Sequence, residues 1–143
     1  MKSRFRYASV LVFGLMAGAA AQPARDASTY QGLGGKAGIE KIVAILIPMI
    51  QSDPRIKASF KDSDMGKLAL RLEEQFCELS GGPCTYQGKD MVEIHDGLNI
   101  TNAQFNALTE DLQLAMERAG VPSRVQNRLV AKLAPMQRGV VTK

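Results

Sequence analysis

One histidine and two cysteines are all that the 143-residue sequence contains of imidazole and thiol ligands, and they fit no usual zinc spacing. Neither a strand-borne nucleophile elbow nor a Ser-His-Asp or Cys-His arrangement with an identifiable setting is present, so hydrolase chemistry gains no support. Glycine and proline number only 13 and 6, short of a disordered or collagen-like chain. No strongly apolar run reaches the ~20 residues of a membrane span. No segment alternates convincingly at period two and no internal repeat is visible, which leaves an all-α fold as the expectation. The 45% hydrophobic and 22% charged residues suit one soluble domain large enough to bury a core.

The N-terminus reads as an export signal over residues 1–21, with Lys2, Arg4 and Arg6 before an apolar stretch at 7–17. Ala19-Ala20-Ala21 offers the small residues of a cleavage site before Gln22, and the absence of a following cysteine argues against a lipid anchor. Removing these residues takes three positive charges from the net +4 and leaves a 122-residue chain, 22–143, at +1. That weakens the case for a nucleic-acid partner. The expected export to the periplasm bears on Cys77 and Cys84, which flank a Gly81-Gly82-Pro83 turn. A disulfide there would contribute roughly 2 to 3 kcal/mol, while two buried thiols without a bond remain the competing reading.

Helical spacing predicts a deeply buried helix over 36–52, apolar on nearly every face and kinked at Pro48. Asp64 can cap a helix running to about residue 80, with Leu68, Leu72, Phe76 and Leu79 inward. Residues 90–97 have room for about two turns holding His95. Thr101 and Gln104 form a capping-box pattern before Phe105, Leu108 and Leu112, and Pro122-Ser123 opens a last helix facing Val125, Leu129, Leu133, Met136 and Val140 inward.

By pattern alone, a lone histidine beside Asp96 is more often a surface residue or a satisfied polar group than a ligand. One imidazole is nevertheless enough for haem iron, because the porphyrin supplies four other ligands, and helices faced with Leu, Ile, Met and Phe can form a flat apolar slot. No Cys-x-x-Cys-His is present, which excludes covalent c-type attachment and points to removable haem b.

Leu33-Gly34-Gly35, Asp53-Pro54-Arg55-Ile56, Phe60, Gly81-Gly82-Pro83, Tyr86-Gln87-Gly88, Met91-Val92-Glu93-Ile94-His95, Ile100-Thr101, Phe105, Ala119-Gly120-Val121-Pro122 and Leu133-Ala134-Pro135 occur here in order. In this the sequence resembles the group I truncated haemoglobins over about 30–141. The resemblance implies a two-over-two helical globin sandwich, with His95 as proximal iron ligand and Phe60 as the aromatic wedge on the haem. It implies haem-slot positions for Phe76, Met91, Leu98, Ile100, Phe105, Leu129 and Leu133, a propionate partner in Arg71, and an approach of Tyr86 to the haem edge. Phe76, Phe105, Leu129 and Leu133 would also serve as core residues without haem.

Many members of that family place a tyrosine on the second helix and a glutamine on the next long one, where they donate to bound oxygen. Those positions fall on Ile47 and Leu72, with Leu68 at the other distal position, so an apolar distal pocket is expected. Losing a donor worth about 1.5 to 3 kcal/mol weakens oxygen retention about ten- to a hundredfold. The leading expectation is an exported haem b protein binding oxygen, nitric oxide or carbon monoxide, with a reductase as partner. The alternatives are a peroxidase-like redox enzyme on the same haem, which lacks a visible distal acid-base group, and a globin-fold binding module without cofactor.

Overall fold

The computed structural model describes residues 26–143, so the export signal expected over 1–21 lies outside the described residues. Seven α-helices follow in order: α1 (Ser28–Gly32), α2 (Gly35–Ser52), α3 (Met65–Leu79), α4 (Met91–His95), α5 (Asn102–Arg118), α6 (Ser123–Leu133) and α7 (Gln137–Val140). Short 3₁₀ turns at Lys57–Phe60 and Ala134–Met136 complete the chain, and the described residues contain no strand. The four long helices make two layers: α2 packs on α3 and α5, and α6 packs on the same two partners.

Local chemistry sets the helix starts. Asp64 caps α3 by accepting from the Lys67 N–H at 3.0 Å, and Asp90 caps α4 by accepting from Glu93 at 2.9 Å. Thr101 and Gln104 close a reciprocal capping box on α5. Gly34 supplies the left-handed conformation (φ +90°) that breaks α1 from α2, where a side chain would be strained. Pro48 lies inside α2, yet the helix runs on to Ser52, whose hydroxyl donates to the Pro48 carbonyl at 2.8 Å. The last helix departs from the expected single element. Pro135 has no N–H to give and its ring crowds the preceding turn, so α6 stops at Leu133 and the chain tightens before α7.

α2 drives the core. Ile39, Ile42, Val43, Leu46 and Ile50 are buried against Phe76 of α3, Leu112, Ala115 and Met116 of α5, and Leu129 of α6. Burying one such aliphatic side chain contributes about 1.5 to 3 kcal/mol. Cys77 and Cys84 are joined, with Cα atoms 5.8 Å apart. The turn between them has no room for a larger residue at Gly82, where a Cβ would come within 2.6 Å of Cys77 Sγ and of the Tyr30 ring.

One charged group is buried at the end of α2. Asp111 of α5 is 5% exposed, and its Oδ2 finds no hydrogen-bond partner among the described residues. Arg55 is held chiefly by Asp53, at 2.8 Å from Nη2, and by Glu110, and it stands 3.8 Å from Asp111. The Arg55 side chain and N–H hold the Asp53 carboxyl below its usual range, whereas burial, reinforced by the Asp53 charge, pushes that of Asp111 up. A carboxyl raised on folding adds stability while it is protonated, and this is lost as pH rises through its folded value. Asp111→Asn, which removes the buried charge facing Asp53, is therefore expected to raise stability at pH 7 by about 1 kcal/mol. Urea midpoints check it: the gain should shrink towards acid pH, and a destabilised variant at pH 7 contradicts the account.

Candidate functional site

His95 is the last residue of α4, and its ring Nδ1 lies 2.8 Å from the Met91 carbonyl one turn earlier. A carbonyl only accepts, so Nδ1 carries the proton and donates. The lone pair is left on Nε2, the tautomer and ring orientation suited to a metal ligand. His95 borders a cleft whose empty space is about 900 Å³, part of it open to solvent. Among the described residues no group of three or more His, Cys, Asp or Glu could hold a metal ion.

The cleft is walled on one side by Leu68, Leu72 and Phe76 of α3, with Leu46 of α2 and Phe60 from the first 3₁₀ turn. Phe105, Leu108 and Leu112 of α5 line another part, and Met91, Ile94, Leu133, Met136 and Val140 surround the histidine side. Polar wall groups are few: Arg71, Gln75, Tyr86, His95 and Thr109. The Thr109 hydroxyl is committed to the Phe105 carbonyl at 3.0 Å.

Arg71, Glu74 and Tyr86 form the charged edge. Arg71 donates to Glu74 at 2.6 Å, and the same carboxylate accepts the Gln87 N–H at 3.0 Å, which holds the Tyr86 loop to α3. The Gln87 N–H, followed by Arg71, keeps the Glu74 carboxyl below its usual range. Burial raises the Tyr86 phenol, so its hydroxyl stays a neutral donor. The Cys77–Cys84 bond ties the same loop to α3 from the other end.

Of the residues singled out in the sequence, the cleft gathers Phe60, Leu68, Arg71, Leu72, Phe76, Tyr86, Met91, His95, Phe105 and Leu133. It does not include four others. Ile47 is half-buried against the core, and its neighbour Leu46 borders the cleft instead. α2 is apolar on nearly all faces, so hydrophobic spacing does not fix its rotation, and an offset of one residue turns a side chain by 100°. Leu98 is 51% exposed on the turn after α4. Ile100 is buried away from the cleft, with its carbonyl accepting from Thr142 and Lys143 of the C-terminal tail. Leu129 is completely buried in the core. Leu108, Leu112, Met136 and Val140 were visible as inward positions of their helices; Gln75 and Thr109 carried no such signal, because a polar residue inside an amphipathic helix reads as surface.

The bacterial-like globin family model matches residues 28–142. The group 1 truncated haemoglobin of Tetrahymena thermophila is 32% identical over 101 residues, 71% of this chain and 84% of that protein. Group 1 truncated haemoglobin GlbN of Mycolicibacterium paratuberculosis is 29% identical over 119 residues, covering 83% and 88%. The crystal structure of the Tetrahymena pyriformis truncated haemoglobin in its Fe(III) form matches with a TM-score of 0.77 at 30% identity, over 80% of this chain and 98% of that one. The Synechococcus 2/2 haemoglobin, solved with covalently attached haem, shares the fold at 21% identity and a TM-score of 0.74, with 80% and 98% covered. With two helical layers, a histidine-bearing cleft between them and these relatives, the chain belongs to the bacterial-like globins, as a group 1 truncated haemoglobin.

Proposed function

We propose that this globin is an exported haem b protein that binds a diatomic gas, oxygen, nitric oxide or carbon monoxide, in an apolar distal pocket. The observation that carries the reading is His95, whose bond to the Met91 carbonyl leaves Nε2 free beside an apolar cleft. The residues fit the group. The leucine and phenylalanine walls suit a porphyrin plane, Phe60 supplies the wedge, and Arg71 with Tyr86 provides a cationic and hydroxyl edge for its carboxylates. Haem would supply one open coordination position for the gas. Around that position Leu46, Leu68 and Leu72 offer no hydrogen-bond donor, which favours a ligand that needs none.

No second histidine exists to reach the porphyrin periphery, so retention rests on the His95 bond, burial and the charged edge. Titration of the purified protein with haem should give a Soret band at one equivalent, with distinct ferrous and carbonyl forms, and acidic solvent should extract all of the haem. Absence of a Soret band refutes the reading; haem that stays with the protein after extraction refutes its non-covalent form. For export, N-terminal sequencing of protein from the periplasmic fraction should begin at Gln22, and an intact Met1 in the cytoplasm contradicts the signal. An external reductase would keep the iron ferrous in that compartment.

A further inference from the structure

The cleft has a single polar group with no strong partner and no place in the family resemblance. Gln75 of α3 is 8% exposed and borders the cleft. Its Nε2 donates only to two thioethers, Met91 Sδ and Met136 Sδ, each at 3.6 Å. Sulfur is a weak acceptor, and a buried amide served only by such partners is costly to keep. Leucine or methionine would fill this site among methionines without that cost.

Gln75 lies one helical turn after Arg71, so the two share a ridge of α3, beside the apolar ridge of Leu68 and Leu72. Tyr86, whose hydroxyl makes no hydrogen bond among the described residues and whose phenol burial keeps neutral, borders the same cleft. Thr109 and the Nδ1 of His95 are already committed to carbonyls. The cleft is thus apolar across its walls and polar along one line, with donors held in reserve at Tyr86 and Gln75.

Resting on the haem reading above, we propose that Gln75 is a specificity-determining donor for the carboxylate edge of the tetrapyrrole, selecting dianionic porphyrins over those with esterified or missing carboxylates. An N–H of Gln75 leaves its thioether and donates to a carboxylate oxygen, a charge-assisted bond in place of a weak one. No proton or electron moves; the amide contributes a stronger hydrogen bond only when the ligand is charged.

The test uses the full chain, metal-free protoporphyrin IX and its dimethyl ester, and fluorescence titration, so that neither iron nor gas binding enters the readout. The wild type should bind the free acid more tightly than the ester. Gln75→Met, which keeps the volume and the methionine packing, should narrow that preference about tenfold by weakening the free acid, with the ester changed less than about twofold. Gln75→Asn, one methylene shorter, should show the same loss and guards against misfolding of the first variant. Equal weakening of both porphyrins, or no change in their ratio, makes Gln75 a packing residue and overturns the proposal. Failure of the wild type to bind either porphyrin overturns the haem reading together with it.

Discussion

Replacing His95 by alanine is expected to leave a folded protein that holds haem on the order of a hundredfold more weakly. The fold should survive because of where the side chain sits. His95 ends a five-residue helix, is only partly buried and makes its one hydrogen bond to a carbonyl of its own turn, so its removal opens no core cavity. α4 remains capped by Asp90 and packed against α7. The haem loses more, because among the cleft residues only His95 presents an imidazole nitrogen, and the remaining walls grip a porphyrin by contact and charge alone. The measurement is the rate of haem transfer to an excess of a competing haem acceptor, beside thermal unfolding without haem. Added imidazole should restore part of the retention by filling the vacated space. An unchanged Soret band and transfer rate in His95→Ala would remove His95 from the site.

Much of this architecture was legible because it is written in local chemistry. Asp64 and Thr101 each satisfy an exposed N–H at a helix start, and each can be read from its own neighbourhood. His95 and Phe60, which both border the cleft, stand out through family order rather than pattern, since a lone histidine carries no signal of its own. Rotation was the harder quantity. On α3 the polar and apolar faces differ, and Leu68, Leu72 and Phe76 all reach the cleft as expected. On α2 Ile45, Ile47 and Met49 are as apolar as their buried neighbours, and only packing against α3 and α5 decides that Leu46 faces the cleft. Gln75 escaped for a related reason. A cleft broad enough for a flat ligand takes in two ridges of α3, and a rule that seeks one apolar stripe assigns the second ridge to solvent. Leu98, which chain order places near the histidine, is 51% exposed on the turn after α4.

The leucine wall leads to the second large effect. Leu72→Gln is expected to slow oxygen release about tenfold while changing carbon monoxide release less than about twofold. Oxygen takes up negative charge when it coordinates and gains from a donor, whereas carbon monoxide takes up little. A charge-assisted hydrogen bond of about 1.5 to 3 kcal/mol corresponds to one to two decades, and the flexible glutamine, which gives up entropy to make the bond, should realise the lower end. Leu72 is the position for the substitution because it borders the cleft, is half-buried, and has Leu68 and Phe76 on the same helix to hold the backbone. Two polar wall groups are already committed: Thr109 donates to its own helix, and Arg71 is held by Glu74. Ile47→Tyr starts from outside the cleft wall, so its effect on oxygen release should be the smaller of the two. Stopped-flow displacement of each gas from the ferrous protein gives all four rates. If Ile47→Tyr slows oxygen strongly while Leu72→Gln leaves it unchanged, the gas lies against α2 rather than α3, and α2 turns residue 47 towards it when haem is bound.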